Sequence, residues 1–358
     1  MALPKRLTRR TLTRISVYTR YTQLCSRGIL ISMKTSFSNY KKLLAFSKKH
    51  GLVEKTSIIL GLSVGPDSVF LLHFLADLHQ QGFIRLVAAH LDHQWRAESY
   101  KDVALCQTAC AQLGIELVTQ RVSDLGCPIR YNGSKEDVAR QQRRFFFASV
   151  RHTHGADYVA VAHHADDQEE TFFIRLLRGT SLSGLVGMRP RSEIYIRPLL
   201  CLHKREIVEY LDQQHIPYIT DATNASDDFL RNRLRNNVLP ALKQADSRFT
   251  TTFTNTLEQL QATESFLEAY SKQQYALLVE HTATVHTLDI KKFALLDPVI
   301  QYRVILHWLR DYQVSFPVRN KFFAEMVQFL LQPQGGTHQI HHDWAIVKKQ
   351  YRAHIVAR

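Results

Sequence analysis

The sequence predicts an α/β fold in which helices cover a parallel sheet, followed by a smaller, mainly helical domain with a short β tail. Between residues 57 and 177, short aliphatic runs alternate with helical patterns, which is typical of βαβ units and hence of a parallel sheet. The chain has 358 residues, of which 45% are apolar, enough for two globular domains. We therefore predict domains over residues 34–240 and 241–358, after a basic extension over residues 1–33.

The first predicted strand leads into a turn that resembles a phosphate site. Strand Ser57–Leu62 is followed by a Gly/Pro/Ser turn and then by helix Asp67–Gln80. The turn consists of Ser63, Val64, Gly65, Pro66, Asp67 and Ser68. Backbone N–H groups and two hydroxyls at a helix N-terminus favour an anion, so we predict that these residues bind phosphate. The turn is not a Walker A loop, because no Gly-Lys-Ser/Thr follows, and an ordinary strand–helix turn is the alternative.

The remaining elements of the first domain continue the alternation of strand and helix. They are strand Ile84–Ala89, a polar loop His90–Glu98, helix Tyr100–Leu113, strand Glu116–Val122, a helix from the capping box Ser134–Asp137 to His154, strand Tyr158–Ala162 and helix Asp167–Leu177. Residues 178–197 are predicted as loop. Helices Lys204–Gln214 and Asp228–Leu239 follow, and Pro240 opens a polar run that we interpret as the domain boundary.

The second domain is predicted to be helical over residues 248–280 and 299–331, with a small β element over His338–Ala357. Its core candidates are Trp308, Phe322, Phe323, Phe329 and Leu330.

Three polar loops follow strand ends in this scheme: Ser63–Ser68, His90–Glu98 and His163–Gln168. In parallel sheets, ligands bind beyond the carboxyl ends of the strands, so the three loops are expected to converge. The segment His163–Glu170 holds two histidines and four acids, which suit a divalent metal, a nucleophile or a nucleotide. The alternative for this segment is a helix N-terminus whose acids complement the helix dipole.

Two groups of arginines are candidates for binding phosphate. Arg140, Arg143 and Arg144 share one face of a predicted helix, where they could bind phosphates or form an ordinary solvated surface. Arg231, Arg233 and Arg235 form the sharpest basic patch outside the N-terminus and suit contact with RNA, against the alternative of a solvated helix face.

The net charge of +14 lies at the two ends of the chain. Residues 1–53 hold 12 Lys/Arg and no acid, and residues 299–358 hold 8 Lys/Arg and 3 acids. A polyanionic partner is therefore plausible. Residues 1–33 are interpreted as a mis-start ahead of Met33 or a dispensable arm, with an organelle transit peptide as the alternative. No apolar run is long enough for a membrane span, and the five scattered cysteines without a C-x-x-C pair indicate free thiols in a reducing compartment.

Taken together, these motifs resemble the tRNA(Ile)-lysidine synthetases of the PP-loop superfamily, which are N-type ATP pyrophosphatases. Ser63–Ser68 is similar to their pyrophosphate loop, S-G-G-x-D-S. The other similar segments, in order, are His90–His93, Ser134–Arg144, His163–Thr171, Leu176–Gly179, Arg197–Leu200 and Asn224–Pro240. Each motif alone is weak, but six in the same order are specific.

The resemblance implies a PP-loop, adenine nucleotide alpha hydrolase-like domain and a reaction on tRNA. ATP with Mg²⁺ would adenylate the wobble cytidine of an isoleucine tRNA with a CAU anticodon, and free L-lysine would then displace AMP to give lysidine. The implied catalytic residues are Asp67, Asp166, Asp167 and Arg140, and the two acids at 166 and 167 would bind the lysine ammonium or the metal. The implied nucleotide contacts, besides the loop, are His90, Asp92, His93 and His163. The expected enzyme is cytoplasmic and not membrane-bound, and a homodimer is left open.

The chain departs from the family pattern in the loop and in length. Val64 replaces a glycine, and a β-branched residue resists positive φ, so the loop either tolerates valine or binds ATP less well. Larger family members have a further C-terminal domain. The rival functions are a PP-loop tRNA thiolase, which would need cysteine pairs for sulfur chemistry, and a non-catalytic RNA-binding protein with a degenerate nucleotide site.

Overall fold

The computed structural model describes residues 39–53, 55–96, 98–128, 135–219, 230–282, 285–314, 316 and 320–357. The chain folds into two compact units. The first continues to Thr250 except for Ser181–Val186, which groups with the second unit from Thr251 onward. Ser134 and Asn224 lie outside the described residues, as does the N-terminal extension. The domain limits at residues 33 and 240 stay predictions.

The first unit is built on a six-stranded sheet. Its strands are β1 (Thr56–Gly61), β2 (Ile84–Asp92), β3 (Glu116–Arg121), β4 (Tyr158–Ala160), β5 (Arg191–Ser192) and β6 (Tyr195–Ile196). The order across the sheet is β3-β2-β1-β4-β6-β5, and every neighbouring pair is parallel except the β5–β6 hairpin. The predicted parallel sheet is confirmed, with one short antiparallel strand at its edge.

Helices connect these strands and extend the unit. They are α1 (Tyr40–Lys49), α2 (Pro66–Gln80), α3 (Ser99–Leu113), α4 (Lys135–Thr153), α5 (Ala165–Arg178), α6 (Leu182–Leu185), α7 (Lys204–Gln213), α8 (Leu230–Arg233) and α9 (Leu239–Ala245), with a π-helical turn at Leu234–Val238. Of these, α6 belongs to the second unit. Pro240 lies in the first turn of α9, where its missing N–H has no helical partner to lose, so the helical path continues beyond it.

Two details of the sheet differ from the sequence predictions. Strand β2 runs three residues beyond the predicted end, since His90, Leu91 and Asp92 pair with β3, so the polar loop begins only after Asp92. The segment 178–197, predicted as loop, contains α6, β5 and β6. Strands of two residues are too short to produce a periodic pattern.

The central strand β1 is buried on both faces. Ile58 and Leu60 pack into a core with α2 and α7, and Ile59 packs into a second core with Phe147 of α4. A Cβ at Gly61 would lie 2.8 Å from the ring of Phe147, so glycine at this position allows α4 to pack directly on the end of β1. This packing fixes the strand end from which the phosphate-type turn begins.

The second unit combines helices with an antiparallel sheet. Its helices are α10 (Phe249–Leu278, whose first two residues group with the first unit), α11 (Ile290–Ala294), α12 (Pro298–Asp311) and α13 (Asn320–Leu331). Its strands are β7 (Val279–His281), β8 (His286–Asp289), β9 (Gly336–His341), β10 (Trp344–Lys349) and β11 (Arg352–Ala357), in the order β7-β8-β11-β10-β9. The β tail is confirmed, and it joins β7 and β8, which the sequence did not predict.

The core of this unit contains Trp308, Phe323 and Leu330 among the predicted residues, while Phe322 and Phe329 pack against it half-buried. Among the residues described, no helix combines the length and the apolarity needed to cross a bilayer.

Candidate functional site

The site forms where the sheet order reverses, between the carboxyl ends of β1 and β4. The chain leaves these neighbouring strands in loops that meet, as expected at the switch point of a doubly wound sheet. Asp67, in the first turn of α2, and His164, the N-cap of α5, approach to 3.8 Å between Oδ1 and Nε2. The predicted convergence of the first and third polar loops is therefore present in the structure.

The turn after β1 is closed by hydrogen bonds between its two serines. The Ser63 amide donates to Ser68 Oγ at 3.0 Å, and the two hydroxyl oxygens lie 2.8 Å apart. The Ser68 hydroxyl also lies within donating distance of the carbonyl oxygens of Ser63 (2.6 Å) and Gly65 (3.1 Å). Ser68 is buried, and its hydroxyl shapes the turn from within.

The backbone of this turn does not require glycine at positions 64 or 65. Val64 has no positive φ, its side chain packs against the core, and its carbonyl accepts from the Ile219 amide at 2.8 Å. Gly65 has φ −73° and ψ 153°, and a Cβ there would contact only Ser63 Oγ at 3.4 Å. The turn thus adopts this conformation without strain at Val64. It also leaves the space over Gly65 open to a ligand that a side chain would obstruct.

His164 lies among three carboxylates. Its Nε2 is 3.8 Å from Asp67 and 3.6 Å from Asp167, and its Nδ1 is 3.4 Å from Asp166. Burial alone would lower the pKa of His164, but these acids more than offset it, and its pKa is raised. The three carboxylates therefore favour the protonated form of His164.

Asp166 and Glu169 bind an ammonium group. Lys243 Nζ lies 2.8 Å from Glu169 Oε2 and 3.2 Å from Asp166 Oδ1. Asp166 also accepts the Lys204 amide at 2.7 Å and lies 3.4 Å from His203 Nδ1. Burial would raise the pKa of Asp166, but hydrogen bonds from His164, His203 and the Lys204 amide hold it well below its usual range.

Two further acids of α5, Asp167 and Glu170, bind the predicted basic patch. Arg231 donates to Asp167 Oδ1 at 2.9 Å and to Glu170 Oε2 at 2.6 Å, and Arg235 donates to Glu170 Oε1 at 2.6 Å. Asp167 also caps α5 by accepting the His164 amide at 3.0 Å. Burial would raise the pKa of Asp167, but His164, Arg231 and His163 more than offset it, and its pKa is lowered. Asp167 is thus a fixed anion with little basicity.

The first loop is linked to α7 by a further lysine. Lys204 Nζ lies 2.6 Å from each carboxylate oxygen of Asp67. Acidic and basic side chains therefore alternate around the turn. Every charged residue just described belongs to the first unit.

Comparison with known proteins agrees with this geometry. The family model described as the PP-loop domain, an ATP-binding family, matches residues 34–242. The chain belongs to the PP-loop family. It is 38% identical over 301 residues to a tRNA(Ile)-lysidine synthase from Bacillus subtilis, covering 81% of this chain and 62% of the relative. It is 32% identical over 317 residues to the enzyme of the same name from Bacillus cereus, covering 85% of this chain and 66% of the relative.

The chain spans roughly two thirds of the length of these relatives (66% and 62%). Among solved structures, a U34-tRNA thiolase from Methanococcus maripaludis with a [4Fe-4S] cluster matches with a TM-score of 0.53 and 16% identity, over 62% of this chain and 77% of that one. This last likeness shows the PP-loop fold.

Other residues predicted for this PP-loop site, namely His90, Asp92 and His93, lie on or just after β2. His90 is buried in β2, with Nδ1 3.0 Å from the carbonyl oxygen of Leu62 and 3.5 Å from Cys106 Sγ, so it ties β2 to the turn. Asp92, at the end of β2, accepts the Gln94 amide at 2.9 Å and lines an open cavity of about 350 Å³ with Tyr100 and Arg121. His93 follows, and burial lowers its pKa to about 4.

His163 follows strand β4, and Arg140 lies on helix α4. The pKa of His163 is lowered to about 4, chiefly by burial, with Asp167 raising it and the positive charges of Arg197, Arg231 and Arg140 lowering it. Arg140 is exposed, and its charge also lowers the pKa of Arg197, for which burial is the larger cause. A cationic surface therefore borders the acidic loop.

Sequence reasoning included His164, Glu169 and Glu170 in the polar segment His163–Glu170 without giving each a role, and the structure shows all three buried. It missed His203, Lys204 and Lys243, which pair with the acids of the PP-loop site. No local pattern marks Lys204 or Lys243, which come from segments remote in sequence.

Proposed function

We propose that the chain is a tRNA(Ile)-lysidine synthetase. In this reaction the C2 carbonyl oxygen of the wobble cytidine attacks the α-phosphorus of ATP, and pyrophosphate leaves. The ε-amine of free lysine then attacks C2 and AMP departs with the C2 oxygen, giving lysidine. The product pairs with A instead of G, so a tRNA with a CAU anticodon reads AUA in place of AUG.

One observation carries this proposal: an ammonium site lies beside the phosphate-type turn within a single unit. Lys243 presents to Asp166 and Glu169 the same group that free lysine carries at its side-chain end. Asp166 shares His164 with Asp67 of the turn. A substrate lysine that displaced Lys243 would hold its nitrogen next to a nucleotide bound at the turn, which is the positioning that the second step needs.

The ammonium must lose a proton before the nitrogen can attack. We propose that Asp166 and Glu169 bind the ammonium and that Glu169, whose pKa is raised by burial, accepts the proton, because the pKa of Asp166 is held well below its usual range. Asp167 is assigned to the architecture of the site, because its oxygens are bound to the His164 amide and Arg231.

We propose that ATP lies over Ser63–Ser68, with its phosphates facing the backbone amides at the start of α2. The proposed nucleotide contacts also include His90, Asp92, His93 and His163, with Arg140 as the cation that stabilises the leaving pyrophosphate. The small Gly65 supports this placement, since the backbone itself does not demand glycine there.

Mg²⁺ would accompany the ATP phosphates. The donor set fits it at Asp67, a hard oxygen ligand within the turn, although Lys204 binds that carboxylate here. The cluster Asp166, Glu169 and His203 fits less well, because it includes an imidazole and already binds the ammonium of Lys243. Mg²⁺ would neutralise phosphate charge.

For tRNA, we propose contacts from Arg231, Arg233 and Arg235 to backbone phosphates. The side chains of Arg231 and Arg235 remain 44% and 38% exposed while they bind Glu170, so both can face a second anion. We further propose a cytoplasmic enzyme, in line with its bacterial relatives. A homodimer stays a prediction.

The thiolase alternative finds no support in the described cysteines. Cys106 and Cys110 are buried, and burial raises the pKa of both thiols, that of Cys110 to about 12. Within the described part of the chain, no cluster of candidate metal ligands includes a cysteine.

The proposal is tested by incubating the full chain with labelled lysine, ATP, Mg²⁺ and an isoleucine tRNA bearing a CAU anticodon. Label in the tRNA is expected, and none when uridine replaces the wobble cytidine. Asp166→Asn should abolish incorporation, whereas Asp246→Asn, which changes an exposed acid bound to Arg248, should leave it intact. Absence of label with the unmodified chain would refute the function. Absence of tRNA-dependent ATP–pyrophosphate exchange as well would favour the non-catalytic alternative.

A further inference from the structure

A second cluster of metal-ligand side chains lies in the second unit, which the proposed reaction does not use. The antiparallel pairing of β7 and β8 places His281 directly opposite His286, and their ring centroids lie 4.4 Å apart. Asp311, the last residue of α12, brings Oδ2 to 3.9 Å from His286 Nδ1. One donor atom from each of the three residues lies within 4.8 Å of the others.

His286 has a nitrogen that nothing in the described residues satisfies. Its Nδ1 is shielded from solvent and has no hydrogen-bond partner among them. A shielded imidazole nitrogen without a partner costs free energy unless a proton donor, an acceptor or a metal ion meets it. The nearby Asp311 carboxylate has the charge and the position of a second ligand to the same ion.

The surrounding contacts hold these ligands in place. Tyr275 OH donates to Asp311 Oδ2 at 2.6 Å and packs edge-on against the ring of His281 at 5.8 Å. The His286 amide donates to Tyr312 OH at 2.7 Å, and its carbonyl accepts from Trp308 Nε1 at 3.3 Å. Hydrogen bonds that orient a carboxylate and fix the backbone of a histidine are the outer support that metal sites in proteins use.

Two other ligand clusters in the described chain are less suited to a metal ion. In the cluster Asp166, Glu169 and His203, the two carboxylates already bind the ammonium of Lys243. His341, His342 and Asp343 are consecutive residues at the end of β9, and the carboxylate of Asp343 contacts both imidazoles at 3.6 and 2.8 Å. The His281 cluster differs in drawing its ligands from two strands and a helix.

We propose that His281, His286 and Asp311 bind a divalent transition metal, with Zn²⁺ as the ion that best fits the donor set. Two imidazoles and one carboxylate are a familiar zinc set, with bonds of about 2.0–2.2 Å and a fourth position for water. Ligand atoms around a tetrahedral zinc lie roughly 3.3 Å apart, so side-chain shifts of about 1 Å close the site. The ion would tie the β7–β8 hairpin to the end of α12, and exposed His281 and Asp311 leave a path for its entry.

The test uses the full chain, stripped of metal by a chelator, and Zn²⁺ alone as the probe. Calorimetric titration should give one tight site, and Co²⁺ in its place should show the intense absorption of tetrahedral coordination. His281→Ala and His286→Ala should abolish that site, and Tyr275→Phe should weaken binding about 10- to 100-fold as an outer-shell change. The matched control is His342→Ala, which removes an imidazole from the other histidine pair and should leave the tight site unchanged.

Thermal unfolding provides a second measurement. Zn²⁺ should raise the unfolding midpoint of the unmodified chain and of His342→Ala but not of His286→Ala, because only binding to the folded state stabilises it. Circular dichroism without metal establishes whether each variant folds. If a histidine variant does not fold, Tyr275→Phe still tests the site, because it keeps all three ligands. Equal Zn²⁺ affinity in the His286→Ala and unmodified chains, or loss of the site in His342→Ala, would overturn the assignment. Because these measurements need neither ATP nor tRNA, their outcome is independent of the proposed reaction.

Discussion

Arg235 holds the buried carboxylate of Glu170 by two hydrogen bonds, from Nε at 2.6 Å and from Nη2 at 3.1 Å. Arg231 donates to the same carboxylate, which is 1% exposed. The arginines thus hold α8 and the π-helical turn after it against α5, directly beside the acids of the candidate site. The patch that the sequence predicts to face RNA therefore also stabilises the first unit.

Replacing Glu170 by glutamine should therefore destabilise the fold. The substitution removes the buried charge that both guanidinium groups share and leaves them only Asp167, which lies 2.9 Å from Arg231 and 3.8 Å from Arg235. Losing one partner of a buried pair is strongly destabilising. We expect the free energy of unfolding in urea to fall by about 2–4 kcal/mol, moderated because the arginine side chains stay 38–44% exposed.

Glu209→Gln is the matched control for this prediction. Its partner Arg205 lies at the same 2.6 Å, but the side chains are 51% and 87% exposed. Solvent and mobile ions screen such a pair, so no measurable change is expected. Equal losses in the two variants would show that burial does not decide the contribution of Glu170.

The sequence was sufficient to locate the turn and the acidic loop but not their partners. Strand β1, the turn at Ser63–Ser68 and the loop at His163–Gln168 are local patterns, and the rules of parallel sheets bring them together. Lys243, by contrast, meets Asp166 across 77 positions, and Arg235 meets Glu170 across 65. Such contacts arise from tertiary packing, which leaves no local trace.

The misassigned end of β2 has a different cause. His90 and Asp92 are polar and therefore indicate a loop, yet both are buried in the sheet next to β3. His90 bonds there to the Leu62 carbonyl oxygen, and Asp92 accepts from the Gln94 amide. Whether a residue pairs in a sheet depends on the neighbouring strand, which the local sequence pattern does not show.

Val64→Gly should lower stability without raising activity. Since Val64 has no positive φ, glycine relieves no strain, while it loses packing and adds freedom to the unfolded chain. We expect a loss of about 1–2 kcal/mol in urea unfolding. The rate of tRNA-dependent ATP–pyrophosphate exchange should not increase. A large gain in exchange would mean that the bound loop needs a conformation that valine resists.

His163 should contribute to instability in mild acid. Its pKa is lowered to about 4 in the folded state from its ordinary value of 6.5, chiefly by burial. The stabilisation is present above pH 6.5 and is lost as the pH falls toward 4, because the unfolded chain then binds a proton that the folded chain does not. The slope is about 1.4 kcal/mol per pH unit at most for this one group.

The measurement is the free energy of unfolding at several pH values for the unmodified chain and for His163→Asn. The variant should show a shallower fall between pH 6.5 and 4 and the same pH dependence above pH 7. His164 is present in both proteins, and its raised pKa gives a pH dependence of the opposite sign, so it does not account for a difference between them. Identical slopes in the two proteins would contradict a neutral, buried His163.

Gly65→Ala should separate folding from nucleotide binding. The backbone at Gly65 is ordinary, with φ −73° and ψ 153°, and the added methyl group would contact only Ser63 Oγ at 3.4 Å. Alanine restricts the unfolded chain, so stability should be unchanged or higher by about 0.4–1 kcal/mol. The methyl group would nevertheless occupy the space where we place the ATP phosphates, so the affinity for ATP should fall at least tenfold in equilibrium binding. If Gly65→Ala changed neither the stability nor the affinity for ATP, the ATP phosphates would not bind at this turn. A marked loss of stability would instead show that glycine serves the backbone itself.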